Sequence, residues 1–370
     1  MPEAFKLLSQ DGAARTGILK TAHYPVKTPF FMPIATKGAA KHISSEELKD
    51  AGTECIIANA FVLNLKPGLD VIKRFGGIHD FMNWDRAMFT DSGGFQMLSK
   101  EFLQHATEKG VVFKNPFDQS RMMITPEKAI EIENSIGADV AMCLDYVPEY
   151  RKDKAYIEHA VQRTNEWAER CKAAHNNDKQ LLFGISQGGV YTDLRRKSAR
   201  CIDSMDFDGV ALGGLAIGEM HKDTSRMIKA SLPEFDPAKA RYVMGMGRPD
   251  EVLDAISQGV DIFDSRYPTQ NARHRTLFTV NGNLLIDKAK FKLDRSPIEK
   301  GCDCVTCKNH SRAYIHHLFK THEPIAMRYA SVHNVRFIHR MIENARKAIA
   351  AGKFEKYRKS FNKSFRKGKA

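Results

Sequence analysis

Short apolar runs rich in β-branched and aromatic residues recur along the chain, separated by stretches whose apolar residues fall at helical spacing. The runs are Phe30–Ala35, Cys55–Ala58, Ala87–Thr90, Asp139–Leu144, Leu181–Ser186, Val210–Gly213, Tyr242–Met246 and Val260–Phe263. Between them, Ser44–Ala51, Thr125–Ile136, Lys154–Ala174 and Asp250–Gln258 read as helices. Ser44 is followed three positions later by Glu47, a capping-box spacing. Strands that are apolar throughout and alternate with helices predict a parallel sheet covered on both faces. Eight such units predict an α/β fold of the (β/α)8 TIM barrel type rather than a doubly wound sheet.

Two regions break the alternation. Residues 1–29 hold Gln10-Asp11-Gly12 between short β-like runs, which predicts an N-terminal β-hairpin. Residues 277–286 place Asn281-Gly282 between two apolar runs, a second hairpin signal. The organisation expected is a hairpin region at 1–29, a barrel core at 30–276, a hairpin plus cysteine-bearing helical subdomain packed on the barrel at 277–350, and a basic tail at 351–370.

Composition narrows the class. Hydrophobic residues at 42% and charged residues at 27% exclude a disordered or collagen-like chain. No run of roughly 18 apolar residues occurs, and Met1-Pro2-Glu3-Ala4-Phe5-Lys6 has no signal-peptide pattern, so a cytoplasmic protein without a membrane partner is expected. With 57 basic and 44 acidic residues the net charge is +13, a field that favours polyanions, nucleic acid first. In the last twenty residues Lys353, Lys356, Arg358, Lys359, Lys363, Arg366, Lys367 and Lys369 face one acid, Glu355, with Phe354, Tyr357, Phe361 and Phe365 interleaved. Such a tail could grip phosphates while its aromatics dock, or fray in solvent.

Cys302-x-Cys304-x-x-Cys307 crowds three soft ligands into six residues, which suits a structural, closed Zn2+ site with four tetrahedral ligands. Spacing leaves the fourth ligand open among His310, His316, His317, His322, His333 and His339. His333 is attractive because it interrupts the apolar side of a helix around Val332, Val335 and Ile338.

A barrel builds its site at the C-terminal ends of its strands. The polar residues just past those ends are Asn59, Asp91, Asp145, Gln187 and Asp264, with glycines beside them. Carboxylates and amides around one mouth suit a planar heterocycle with donors and acceptors. Asp91 and Asp264 could divide acid/base and nucleophile work at a glycosidic carbon.

Thr90-Asp91-Ser92-Gly93-Gly94-Phe95-Gln96, Phe183-Gly184-Ile185-Ser186-Gln187-Gly188-Gly189, Gly213-Gly214-Leu215-Ala216-Ile217-Gly218-Glu219, Tyr242-Val243-Met244-Gly245-Met246-Gly247 and Phe263-Asp264-Ser265 together resemble the tRNA-guanine transglycosylase family. So does the cysteine cluster followed by Ser311-Arg312-Ala313-Tyr314-Ile315-His316-His317, and the likeness runs to about residue 355. The resemblance implies a zinc-bearing barrel that exchanges guanine at the tRNA wobble position for a 7-deazaguanine, in queuosine biosynthesis. Asp264 matches the nucleophile that attacks ribose C1′ and holds the RNA covalently. Asp91 matches the acid/base. Asp145 and Gln187 match readers of the base, beside Gly214 and Leu215. Phe95 and Met244 match the walls that sandwich the ring, and Ser92, Gly93 and Gly94 line the same pocket. The segments Gly245, Met246, Gly247, Arg248, Pro249, Asp250, Glu251 and Thr269, Gln270, Asn271, Ala272, Arg273 match those that contact tRNA. The zinc ligands become Cys302, Cys304, Cys307 and His333. A homodimer is also implied.

The chain departs from the family pattern at Ser265, where most members have cysteine, and at Gln270, one cation fewer. Val62 replaces a base-pocket histidine, and Tyr146-Val147 replaces the bacterial Glu-Cys. Bacterial members accept preQ1 and eukaryotic members queuine. Ile217 matches the bulky bacterial residue where eukaryotic members have glycine, whereas Val147 matches the eukaryotic choice and Phe95 is compatible with it. An added ring must physically fit, so preQ1 is favoured. Rival readings are a non-catalytic partner subunit, against which both Asp91 and Asp264 argue, a base exchanger on DNA, and a zinc hydrolase barrel, which would need histidines at the strand ends.

Overall fold

The computed structural model describes residues 4–93, 103–115, 117–150 and 152–367. Strands β1 (Phe5–Asp11), β2 (Ala14–Leu19) and β3 (Val26–Thr28) form an antiparallel sheet at the N-terminus, turning at Gly12 with φ 62°. Arg15 on β2 fastens this sheet to the barrel floor: its Nε and Nη2 donate to the two oxygens of buried Asp261 at 3.0 and 2.5 Å. A bidentate guanidinium–carboxylate pair is the geometry that repays burying both charges.

The eight expected strands all form. They are β4 (Phe30–Pro33), β5 (Cys55–Asn59), β6 (Ala87–Asp91), β10 (Val140–Met142), β11 (Leu181–Ser186), β12 (Gly209–Leu212), β13 (Ala240–Val243) and β14 (Ile262–Ser265). They pair in parallel in the order β4-β14-β13-β12-β11-β10-β6-β5. A parallel bridge between Ile34 and Ile57, with the Ala35 N–H donating to the Ile57 carbonyl at 2.7 Å, joins the two outer strands into a barrel. Helices surround it, among them Ser45–Asp50, whose Ser44–Glu47 capping box is formed, Pro126–Ile136, Lys154–Ala174 and Pro249–Ile256.

The lumen is filled by side chains, as parallel barrels require. Phe89, Phe183 and Tyr242 meet edge to face with ring centres 5.4 and 6.0 Å apart. Phe183 also explains why β12 opens on glycine: a Cβ at Gly209 would lie 2.2 Å from its ring.

Between β6 and the helix Pro126–Ile136 the chain inserts a three-stranded antiparallel sheet, β7 (Leu103–Ala106), β8 (Val111–Lys114) and β9 (Arg121–Ile124), which the apolar pattern does not predict. Its strands are four residues long, and exposed or half-buried Arg121, Met122 and Met123 dilute the hydrophobic signal. The second hairpin forms from β15 (Thr276–Thr279) and β16 (Gly282–Leu285). Its turn sits one residue earlier than Asn281-Gly282 suggests. Val280 and Asn281 make the loop, and Gly282, with φ 101°, opens β16 opposite Thr279.

The chain ends in the helices Arg312–Lys320, Ile325–Ala350 and Phe354–Lys367. Phe354, Phe361 and Phe365 are buried, so the aromatics of the last helix dock rather than fray. No helix among the described residues is long and apolar enough to cross a membrane.

Candidate active site

Strand ends bring the expected polar residues to one mouth. Asn59 and Asp91 end β5 and β6 and stand opposite each other in register. Asp145 follows β10, Gln187 follows β11, and Asp264 lies within β14. Asp91 lies near enough to Asp145 and Tyr242, and Asp264 near enough to Tyr242, for each charge to raise the neighbouring group's pKa.

Asp264 is buried and held by two donors, both on Oδ1. The Tyr242 hydroxyl lies at 2.5 Å and the Gly245 N–H at 2.7 Å. Gly245 turns its amide inward with φ 77°, a conformation that favours glycine. Burial raises the Asp264 carboxyl above its ordinary range, and the two donors pull it back. Among the described residues Oδ2 has no such donor and is free to bond.

Asp91 is half-buried at its strand end and accepts the Gly93 N–H at 3.3 Å. Beneath it, Thr90 hydrogen-bonds buried Glu133, whose carboxyl burial holds well above the usual range. Ser92 is buried and donates to the Cys143 carbonyl at 3.2 Å. Gly94 and Phe95 lie outside the described residues.

Asp145 and Gln187 form one unit, with Gln187 Nε2 donating to Asp145 Oδ2 at 2.6 Å. Burial pushes the Asp145 carboxyl up to about 7; Asp91 adds to the rise and Gln187 opposes it. Among the described residues, the buried Gln187 Oε1 and Asn59 Nδ2 have no hydrogen-bond partner. Unsatisfied buried amides are rare and need a reason, and a ligand with matching donors and acceptors supplies one. The two glycines after β12 leave no room for side chains: a Cβ on Gly213 would lie 2.5 Å from Gln187 Nε2, and one on Gly214 2.3 Å from Oε1.

Pattern reading misses the residue that sets this wall. Arg195, on the helix Thr192–Asp203, is fully buried and donates to the carbonyls of Gly189 and Gly213 at 2.9 and 2.7 Å, and to those of Ser186 and Gly214. It ties the turns after β11 and β12 together behind Gln187. Burial lowers its guanidinium to about 9. In sequence it reads as one of six charged residues on an amphipathic surface helix. Tyr242 is hidden for the opposite reason, as an aromatic in an apolar strand. Glu219 orders the following turn, accepting the Ala216 and Ile217 N–H groups at 2.6 and 3.1 Å.

Leu215 is buried and Met244 half-buried beside Gly245. In the two expected RNA segments, Gly245 is exposed and Arg248, Glu251, Gln270, Asn271 and Arg273 are half-buried. Met246, Gly247, Pro249, Asp250, Thr269 and Ala272 are buried, so they shape the surface rather than form it. Ser265 packs beneath Gly247, where a Cβ would lie 2.4 Å away. Val62 is half-buried, its N–H bonded to Asn59 Oδ1 at 2.8 Å.

Away from the mouth, the sulfurs of Cys302, Cys304 and Cys307 and a ring nitrogen of His333 lie within 4.8 Å of one another, all buried. His333 Nδ1 is 3.7, 3.7 and 3.3 Å from the three sulfurs. Its Nε2 lies 2.7 Å from the Phe278 carbonyl, which can only accept. That bond fixes the proton on Nε2 and turns the Nδ1 lone pair to the sulfurs, the usual arrangement behind a metal-ligating histidine. Four convergent N/S donors fit a structural metal.

Residues 10–367 match the queuine tRNA-ribosyltransferase family. A queuine tRNA-ribosyltransferase of Thermoanaerobacter sp. (strain X514) is 43% identical over 364 residues, 98% of this chain and 97% of its own. One from Bacillus subtilis (strain 168) is 44% identical over 360 residues, 97% of this chain and 94% of its own. One from Fusobacterium nucleatum is 43% identical over 364 residues, 98% of each.

Proposed function

The chain belongs to the queuine tRNA-ribosyltransferase family, and from that premise we propose that it exchanges guanine at the tRNA wobble position for a 7-deazaguanine by double displacement. The observation that carries this is the buried Asp264 carboxylate, held through Oδ1 by Tyr242 and Gly245. Asp264 Oδ2 attacks ribose C1′, and the C1′–N9 bond breaks as Asp91 protonates departing guanine. The incoming base loses its N9 proton to Asp91 and attacks C1′, returning the electron pair to Asp264. Asp145 accepts from the base's ring N–H and exocyclic amine, and the Gln187 amide meets its carbonyl edge.

The inserted base in this reading is preQ1, supported by the bulk of Ile217, half-buried beside Glu219. Queuine salvage is the second reading, favoured by Val147. Cys302, Cys304, Cys307 and His333 would hold one structural Zn2+, which ties the region 277–350 together and takes no part in the exchange. The protein is read as a cytoplasmic homodimer, with residues 30–276 carrying the chemistry. Incubation with tRNA and labelled guanine or preQ1 tests the proposal: label should enter the wobble nucleotide, and label remaining free would refute it.

A further inference from the structure

The helix Phe354–Lys367 sorts its side chains by direction. Phe361 and Phe365 stack with ring centres 5.6 Å apart and pack on Phe337. Two arginines turn onto acids of the helix Pro249–Ile256. Arg366 donates to Asp250 Oδ2 at 2.9 Å and to Asp254 Oδ2 at 2.7 Å, and Arg358 pairs with Asp254 and Glu355. Asn362 adds a bond to Asp254 at 2.8 Å. Lys356, Lys359, Lys363 and Lys367 remain, all exposed. Their spacing of i, i+3, i+7 and i+11 puts them in one stripe, about 16 Å long, on the face opposite the phenylalanines. Lys359 has a carboxylate neighbour, Glu355 at 3.3 Å, and no acid follows Glu355 in the sequence.

The ion pairs fix the direction of the stripe. Later residues of the last helix meet earlier residues of Pro249–Ile256, so the two run antiparallel. Pro249–Ile256 follows β13 and therefore starts at the barrel mouth. The lysines climb the flank of the barrel and finish at its mouth end, level with the start of Pro249–Ile256.

We propose that this stripe docks the phosphodiester backbone of a tRNA stem while the loop being modified enters the mouth, an inference that rests on tRNA being the substrate. The chemistry divides accordingly. Arginines, with their bidentate forks, fasten the helix inward; lysines, compact charges on flexible stems, suit contacts that read charge without sequence. A solvated helix face would interleave acids at i+4 along its length; here Lys359 has one, Glu355, and Lys356, Lys363 and Lys367 have none.

The test uses the full chain with Lys356, Lys359, Lys363 and Lys367 all changed to Gln, and a second variant with all four changed to Arg. Each neutralised duplex phosphate adds ~0.9 to the slope of log affinity against log salt. The Gln variant should lose about 3.6 from that slope with whole tRNA if all four lysines meet phosphates, bind at least tenfold more weakly at low salt, and show a parallel rise in KM for tRNA. The Arg variant should keep the parent slope. An unchanged slope in the Gln variant, or loss of binding to phosphatidylserine vesicles without loss of the tRNA slope, would overturn the stripe as an RNA dock. Guanine labelling by the parent reports separately on the exchange reading, which fails if no RNA is labelled whatever the slopes do.

Discussion

The Tyr242 hydroxyl donates to Asp264 Oδ1 at 2.5 Å from the neighbouring barrel strand, so the proposed nucleophile is aimed by a residue of the lumen core. A non-departing base analogue should trap a protein–tRNA adduct that survives denaturing electrophoresis. Asp264→Asn should abolish adduct and exchange while leaving tRNA binding intact. Tyr242→Phe should lower kcat by about 10–100-fold, the effect of one hydrogen bond to a charged group. Near-normal turnover by Asp264→Asn would remove it as nucleophile.

Asp145 gives a pH signature. Its native carboxyl titrates at about 7 against an ordinary value near ~3.9. Between these values the native state holds a proton that the unfolded chain has released, so stability falls as pH rises through the window. Asp145→Asn should therefore raise the melting midpoint at pH 8 by about 2–4 °C and change it little at pH 4. In the parent, KM for guanine should rise as pH drops below 7, because the protonated acid loses an acceptor. Melting shifts of equal size at both pH values would contradict the buried-charge account.

Metal analysis should find about one zinc per chain, since four N/S donors complete a tetrahedral site. Chelation should loosen the C-terminal helices, because the metal's binding energy is local folding energy. Cys304→Ser should lower solubility and tRNA affinity ahead of any change in kcat. Active protein that contains no zinc would end this assignment.

Ile217 tests base choice by volume. Ile217→Gly should raise queuine incorporation with little loss of guanine exchange, because removing the side chain makes room that overpacking would otherwise charge at ~1–3 kcal/mol. Efficient queuine use by the parent, with preQ1 poorly taken, would move the opening to Val147.

The sequence makes the barrel legible because its strands, Arg241 on β13 apart, are largely apolar on both faces, lumen and helix layer alike, and polarity returns where the strands end. Asp91, Asp145, Gln187 and Asp264 stand out for that reason. Arg195 does not, because its burial depends on four carbonyls supplied by turns it meets only in three dimensions. The strands β7 to β9 are too short for a period to emerge. In the β15–β16 hairpin the Asn-Gly signal marks the place, but the register of Thr279 against Gly282 moves the turn by one residue.

The barrel's first strand has its last as a partner: Phe30 on β4 pairs with Ile262 on β14, and Arg15 with Asp261. A growing polypeptide must therefore carry β4 and the N-terminal sheet unfinished until more than two hundred further residues have been synthesised. Contacts so distant along the chain slow folding and expose open sheet edges meanwhile. Until β14 arrives, the nascent protein is an open sheet with an unguarded backbone rim, which makes that moment of synthesis the one at which aggregation and chaperone capture compete with closure.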